Sequence, residues 1–387
     1  MEGLTVPQPQ SLSFHGRGAE YFRIWIVNLV LTVLTLGIYS AWAKVRTKRY
    51  FLGNTRLGED SFDYHATPMM LLKGRLIALA LAVLYLVLSN VAPVASMVMV
   101  GLLMLVAPWI IWRSHRFNAL MTSFRNVRFD FDGTLREAYE IFLWLPFLPL
   151  AVGLVVAVVM YFGLGADPKM LLGPVVGLSI LFSYLLTPHV HRRANGYLLD
   201  NLRFGDGAFS AELSSRPYYG AYIKAFLGFL LAGVLVAVLV GVVGGYQAAA
   251  MRATGDKMAV DPMQVAAMVV AMYLVFIVLG LWFKSYLEAR LRNYALSRTR
   301  LDEVAELHSD LRAGRLFRIQ LGNLLLLLFT LGLAWPWAVT RLYRYRTERL
   351  HATVRDDLGR YVSERQRRAS ALGEEMGDVF DVGGLGF

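Results

Sequence analysis

The chain has 387 residues, no cysteine, 39 Lys+Arg against 28 Asp+Glu, and a formal net charge of +11. Hydrophobic residues make up 56% before the 34 glycines are counted and charged residues only 17%, with a mean hydropathy of +0.48. Soluble domains hold roughly 45–50% apolar residues, glycine included, and about 25% charged. The composition therefore excludes a water-soluble globule, a disordered chain and a disulfide scaffold, and it specifies a polytopic membrane protein.

Residues 1–20 are polar, without the apolar core and small-residue cleavage site of a signal peptide. They are expected to remain as a polar N-terminal segment before a single membrane domain over 21–350, with a polar cytoplasmic tail over 351–387. The lack of cysteine removes thiol chemistry and lipidation on sulfur.

A spanning helix needs about 20 mostly apolar residues. Eight stretches come close: 21–43, 69–88, 91–112, 139–162, 170–188, 219–246, 262–283 and 316–340. The joints at 89–90, 163–169 and 247–261 contain only Lys169, Arg252 and Lys257 as cations, whereas 44–68, 113–138, 189–218, 284–315 and 341–387 hold 30 of the 39. Lys and Arg gather on the cytoplasmic side. The six middle segments are thus expected to form three hairpins with outward-facing turns and cytoplasmic basic ends.

The first and last segments are copies offset by 295 residues. Asn28 matches Asn323, Thr35-Leu36-Gly37 matches Thr330-Leu331-Gly332, and Trp42-Ala43 matches Trp337-Ala338; Arg46, Arg49 and Tyr50 match Arg341, Arg344 and Tyr345. The basic loop after the first segment and the basic loop before the last must share the cytoplasmic side. If both copies spanned, they would run in opposite directions and place the Arg-rich tail outside. The simpler expectation is that both copies re-enter, turning at Thr-Leu-Gly, and that both termini are cytoplasmic; two ordinary spans are the alternative. Glycine suits a left-handed residue that ends a helix, and Pro336 suits the first turn of the next one. An entering arm of about 16 residues reaches roughly 24 Å, short of a ~30 Å hydrocarbon core.

A second repeat lies in the basic loops: residues 54–62 read Asn-Thr-Arg-Leu-Gly-Glu-Asp-Ser-Phe and 201–209 read Asn-Leu-Arg-Phe-Gly-Asp-Gly-Ala-Phe, with a looser copy from Asn126 and a trace at Arg298–Leu301. Such Gly-acid turns between alternating runs are hairpin chemistry. The expected fold is all-α and polytopic, six spanning helices plus two homologous re-entrant or spanning segments, with small cytoplasmic β-hairpins tying helix ends.

The run from Asn28 through Thr35-Leu-Gly-Ile-Tyr-Ser-Ala-Trp-Ala-Lys-Val-Arg46, then Arg49-Tyr-Phe, Asn54-Thr and Tyr64-His-Ala-Thr-Pro68, resembles the YjgN family, bacterial inner-membrane proteins built around a domain of unknown function. The resemblance is densest over residues 14–75. Ala41 departs from it, standing where a proline is expected and where the second copy keeps Pro336. It implies location and fold, and brings no catalytic or binding residues.

The chemistry-bearing motifs are sparse. His189-Val-His191 has a spacing that could share a metal, but no neighbouring Asp, Glu or Cys completes a set. Phosphate loops, His-Glu-x-x-His and Gly-x-Ser-x-Gly are not in the sequence. No enzyme, metal or cofactor is expected. Trp42, Trp337, Arg46, Arg49, Arg341 and Arg344 are expected at the interface, facing anionic headgroups; cations this close to hydrocarbon argue against nucleic acid. The expected function is non-enzymatic, through lipid or protein-partner contacts; the alternative is a channel or transporter for a small solute using the helix breaks at Gly37 and Gly332 with the amides Asn28 and Asn323.

Overall fold

Each pair of apolar segments folds as a helical hairpin set between two short strands. This unit occurs five times in the computed structural model, which describes residues 8–165, 167–254 and 262–354. The first unit runs β1 Gln8–Phe14, α1 Gly18–Leu34, α2 Ser40–Gly53 and β2 Thr55–Leu57; the second β3 Asp60–Tyr64, α3 Pro68–Val91, α4 Pro93–Leu120 and β4 Thr122–Phe124. The third is β5 Val127–Phe131, α5 Leu135–Leu164 with a π-helical turn at Glu140–Trp144, α6 Pro168–Asp200 and β6 Leu202–Phe204. The fourth is β7 Gly207–Ala211, α7 Ser215–Thr254, α8 Pro262–Leu296 and β8 Thr299–Leu301. The fifth is β9 Ala305–Ser309, α9 Ala313–Phe329, α10 Trp335–Glu348 and β10 Leu350–Val354.

Six helices, α3 to α8, are long and apolar enough to cross a membrane, as their hydropathy requires. The short helices of the first and fifth units, 17 and 14 residues each, reach only about 21–26 Å. They turn back after one arm, so segments 21–43 and 316–340 are helical hairpins and not continuous spans. Both turns are built alike. The amide of Gly37 donates to the Thr32 carbonyl at 2.7 Å and that of Gly332 to Leu327 at 2.8 Å, while the amides of Leu36 and Leu331 donate three residues back. This pair of bonds is the Schellman helix ending. The left-handed closing residue is, however, Leu36 or Leu331 (φ 49° in both), with Gly37 (φ 92°) and Gly332 (φ 87°) following it. The Thr35 hydroxyl then accepts the Tyr39 amide at 2.9 Å, and the Thr330 hydroxyl accepts the Ala334 amide at 3.2 Å.

The β-structure corrects the sequence reading. The hairpins are not separate ties: all ten strands join in one closed antiparallel barrel ordered β1-β10-β9-β8-β7-β6-β5-β4-β3-β2. Strands that flank a helical hairpin pair with each other, and tight turns link successive units through left-handed residues Gly58, Arg125-Asn126, Gly205 and Asp302. Separate three- to five-residue hairpins would leave open edges and too few bonds to persist. Closure removes both problems, and β1 against β10, Gln8–Ser11 with Val354–His351, completes it. Thus the segment read as a polar 1–20 leader contributes β1, and the tail read from 351 begins inside β10; residues 1–7 and 355–387 lie outside those described, as do 255–261 of the third expected turn. Asn126 sits in a turn at φ 63°, so the copy read from it is out of register: Met121–Phe124 is the counterpart of Asn54–Leu57.

Phe62, Phe124, Phe129, Phe204, Phe209, Leu301 and Leu307 share one apolar cluster. The Phe62 and Phe129 rings, on strands separated by β4, lie 6.5 Å apart, and Phe124 and Phe204, separated by β5, lie 6.4 Å apart. Alternate strands are about 9.5 Å apart, so rings can converge this closely only on the concave side. The cluster therefore lies inside the barrel; the strand register places Gln10, Thr55, Thr299 and Ser309 on the same face.

Candidate functional site

The helix bases meet the barrel in a belt that holds Arg49 and Arg344, whereas Gly37 and Gly332 stand at the opposite hairpin tips and Asn28 and Asn323 in the arms. Within a unit, a tyrosine near the end of the second helix grips the start of the first. Tyr50 Oη accepts the Arg17 amide at 2.7 Å, Tyr345 Oη accepts that of Arg312 at 3.0 Å, Tyr294 Oη accepts that of Ser214 at 2.8 Å, and Tyr197 Oη donates to the Thr134 carbonyl at 3.1 Å. Between units, a second-helix side chain donates to one equivalent carbonyl of the next unit. These bonds are Arg49 to Ala66 (3.0 Å), Trp112 to Gly133 (2.6 Å), Arg192 to Leu213 (3.2 Å), Asn293 to Leu311 (2.9 Å) and Arg344 to Gly16 (2.7 Å).

Arg49 and Arg344 are therefore clasps of the ring; Arg49 donates also to Tyr64 O at 3.2 Å. Arg46 turns the other way, over the Tyr39 ring at 5.8 Å. Arg46 and Arg49 thus have different partners, whereas Arg341 and Arg344 both line one cleft. Trp42 stacks on Tyr39 at 5.8 Å. Trp337 packs against α1, with Phe22 at 5.1 Å; a Cβ at Gly18 would stand 2.5 Å from its ring, so that glycine admits the closing helix contact. Asn28 and Asn323 are 5% and 7% exposed. Asn323 Nδ2 donates to Ala338 O at 2.9 Å, tying α9 to α10, and the Oδ1 atoms of both asparagines have no hydrogen-bond partner among the described residues. Gly37 borders a recess of about 290 Å³ where Arg75 of α3 donates to Ser40.

Two features of the belt escaped sequence reasoning. Lys48 donates to Asn118 Oδ1 at 2.5 Å and lies 4.9 Å over the Tyr64 ring. Burial, with Lys44 adding to it, pushes its ammonium down to about 8. A recess of about 700 Å³ between α6 and α8 is lined by His191, Asn195, Lys284, Glu288 and Arg292. Its polar groups are largely engaged: Glu288 pairs with Arg346 at 2.6 Å, His191 with Tyr222 Oη at 2.9 Å and Asn195 with Tyr218 Oη at 2.9 Å. Among the described residues no group of three His, Asp or Glu side chains gathers as a metal set.

Six membrane-length helices and two short hairpins standing on a plugged barrel define a multi-pass membrane protein of five repeated units. The family described as bacterial protein of unknown function (DUF898) matches residues 9–379, and the chain belongs to it. It is similar to the inner membrane protein YjgN of Salmonella typhimurium, 27% identical over 360 residues and 84% of each chain. The Escherichia coli K12 protein of that name is 29% identical over 238 residues, 59% of this chain and 58% of its own. These relatives and the six apolar helices assign the chain to the bacterial inner membrane. No solved structure matches it.

Proposed function

We propose that this protein is a non-catalytic component of the inner membrane that holds its barrel in the cytoplasm and acts through lipid or protein contacts along the helix–barrel belt. The apolar cluster packed inside the barrel carries this reading, because a solute path down the ring axis would have to pass through its phenylalanine and leucine side chains. The orientation is supported by charge. The cations crowd the barrel side, which cytoplasmic Lys and Arg favour, and β1 and β10 pair in the same barrel, so Gln8 and Val354, the first and last described residues, share that side.

The second reading is a solute channel or transporter. The observation that favours it is the pair of Oδ1 atoms on Asn28 and Asn323, unpartnered among the described residues and placed in the hairpins that carry the breaks. Against it, those breaks close hairpins too short to cross. Mass spectrometry of molecules retained through mild-detergent purification separates the two. Retained phospholipid, enriched in anionic species, is expected; a stoichiometric water-soluble solute would overturn the first reading.

A further inference from the structure

Some arginines of the belt are neutralised: Arg125 by Asp60 at 2.5 Å, Arg203 by Asp132 at 2.7 Å, Arg346 by Glu288 at 2.6 Å and Arg349 by Asp310 at 2.7 Å. Five arginines of the fifth unit are not. Arg312, Arg315 and Arg318 from the base of α9 and Arg341 and Arg344 from α10 line one cleft of about 810 Å³, with Glu348 its single carboxylate. None of the five makes an ion pair among the described residues. Arg344 donates to the Gly16 carbonyl and Arg318 to Gly314 O at 3.4 Å, which satisfies donors and leaves both charges in place.

Five arginines and one glutamate leave four net positive charges among the described residues of the cleft, and these repel one another. The 17-residue helix α9 adds its positive N-terminal end, since Arg312, Gly314 and Arg315 of its first turn border the same cleft. The homologous position of the first unit differs. Glu20 stands where the fifth unit has Arg315, and Tyr50 Oη donates to its carboxylate at 3.3 Å; Arg315 instead lies over the Tyr345 ring at 5.3 Å. The charge of Arg315 is therefore particular to the fifth unit, because the first unit carries a carboxylate in its place.

We propose that this cleft binds a phosphate-bearing anion, and that its occupant is a phospholipid headgroup carrying two phosphates. Guanidinium forks match phosphate oxygens, and four net charges exceed what one phosphodiester neutralises. The lipid source follows from depth. The tip of this hairpin exposes Leu328, Phe329 and Leu331, which sets its base, one helix length away, at headgroup level. The proposal rests on the lipid-contact reading above and sharpens it.

The test uses the full chain in mild detergent and native mass spectrometry with cardiolipin, phosphatidylglycerol and phosphatidylcholine, plus inorganic pyrophosphate as a soluble competitor. The variants are Arg315→Gln/Arg318→Gln, Arg315→Glu, which copies the first unit, and Arg128→Gln/Arg216→Gln, which removes the same charge elsewhere; matching thermal unfolding certifies that each is folded. Cardiolipin should bind the first two about tenfold more weakly or worse than wild type, with the third variant and phosphatidylcholine unchanged. Equal cardiolipin retention by all variants would overturn the site while leaving general lipid contact standing. No phospholipid retention by wild type would sink the broader reading itself. Pyrophosphate that displaces cardiolipin and binds more tightly, with the same dependence on Arg315 and Arg318, would overturn the lipid occupant and make the ligand a soluble phosphate.

Discussion

The Arg344 guanidinium donates to the Gly16 carbonyl at 2.7 Å, joining residues 328 positions apart with the same bond that Arg49 makes to Ala66. One is the seam where the chain's two ends meet and the other an ordinary joint between neighbouring units. The repeat therefore closes on itself by reusing its own joint chemistry. A charge-assisted bond of this kind, on an exposed side chain, contributes on the order of 1 kcal/mol. Arg344→Gln should lower the unfolding temperature in detergent and open β1 to proteolysis before the rest of the barrel. Unchanged melting and unchanged cleavage would show that the seam is held by strand pairing alone.

Gly37 and Gly332 have φ near +90°, and a Cβ at either would meet nothing within 4 Å. With its Cβ in open space, valine there is expected to cost chiefly backbone strain, about 1–2 kcal/mol per site. Alanine should cost less than valine. Leu36→Gly and Leu331→Gly should act in the opposite direction in detergent, because each leucine occupies φ 49° while 83% and 92% exposed. Melting curves of the four single variants check the signs; destabilisation by all four would mean that the leucines are held by packing rather than tolerated.

Asp310 lies between Arg349 Nη1 at 2.7 Å and His351 Nε2 at 3.2 Å, beside the closing strand. Burial opposes its ionisation, but the hydrogen bonds from Arg349 and His351 outweigh it and hold the carboxyl below its ordinary value. A depressed carboxyl contributes stability that is full above the unfolded value, about 3.9, and is lost as pH falls through the folded one. Barrel stability should therefore drop on acidification below about pH 4. Asp310→Asn should start lower at pH 7 and lose less between pH 5 and pH 3. Parallel acid profiles for the two proteins would remove Asp310 from the account.

Hydropathy made the six long helices readable to within a few residues at most ends, as 69–88 against Pro68–Val91 shows. The Thr-Leu-Gly turns were equally plain, because two copies divergent elsewhere kept the residues that make the same bonds. Barrel closure was not readable: strands as short as three residues pair across inserted hairpins of 40 to 87 residues, and no local pattern encodes that pairing. The doubled Arg49/Arg344 and Tyr50/Tyr345 were visible as a repeat but not as clasps, since their partners are backbone carbonyls and amides, which a sequence does not distinguish. Arg312, Arg315 and Arg318 escaped notice for the opposite reason: Glu20 interrupts their copy in the first unit, so the alignment that revealed the other arginines passed over them.

The central claim is that the first and fifth hairpins enter the membrane from the barrel side and turn back within it, while the other three cross. Single cysteines at Leu36, Leu331 and Ala92 in this cysteine-free chain, treated in intact cells with a membrane-impermeant thiol reagent, test it directly. Ala92, in the turn between α3 and α4, should label from outside, and Leu36 and Leu331 should not. Labelling of positions 36 and 331 as fast as position 92 would contradict it.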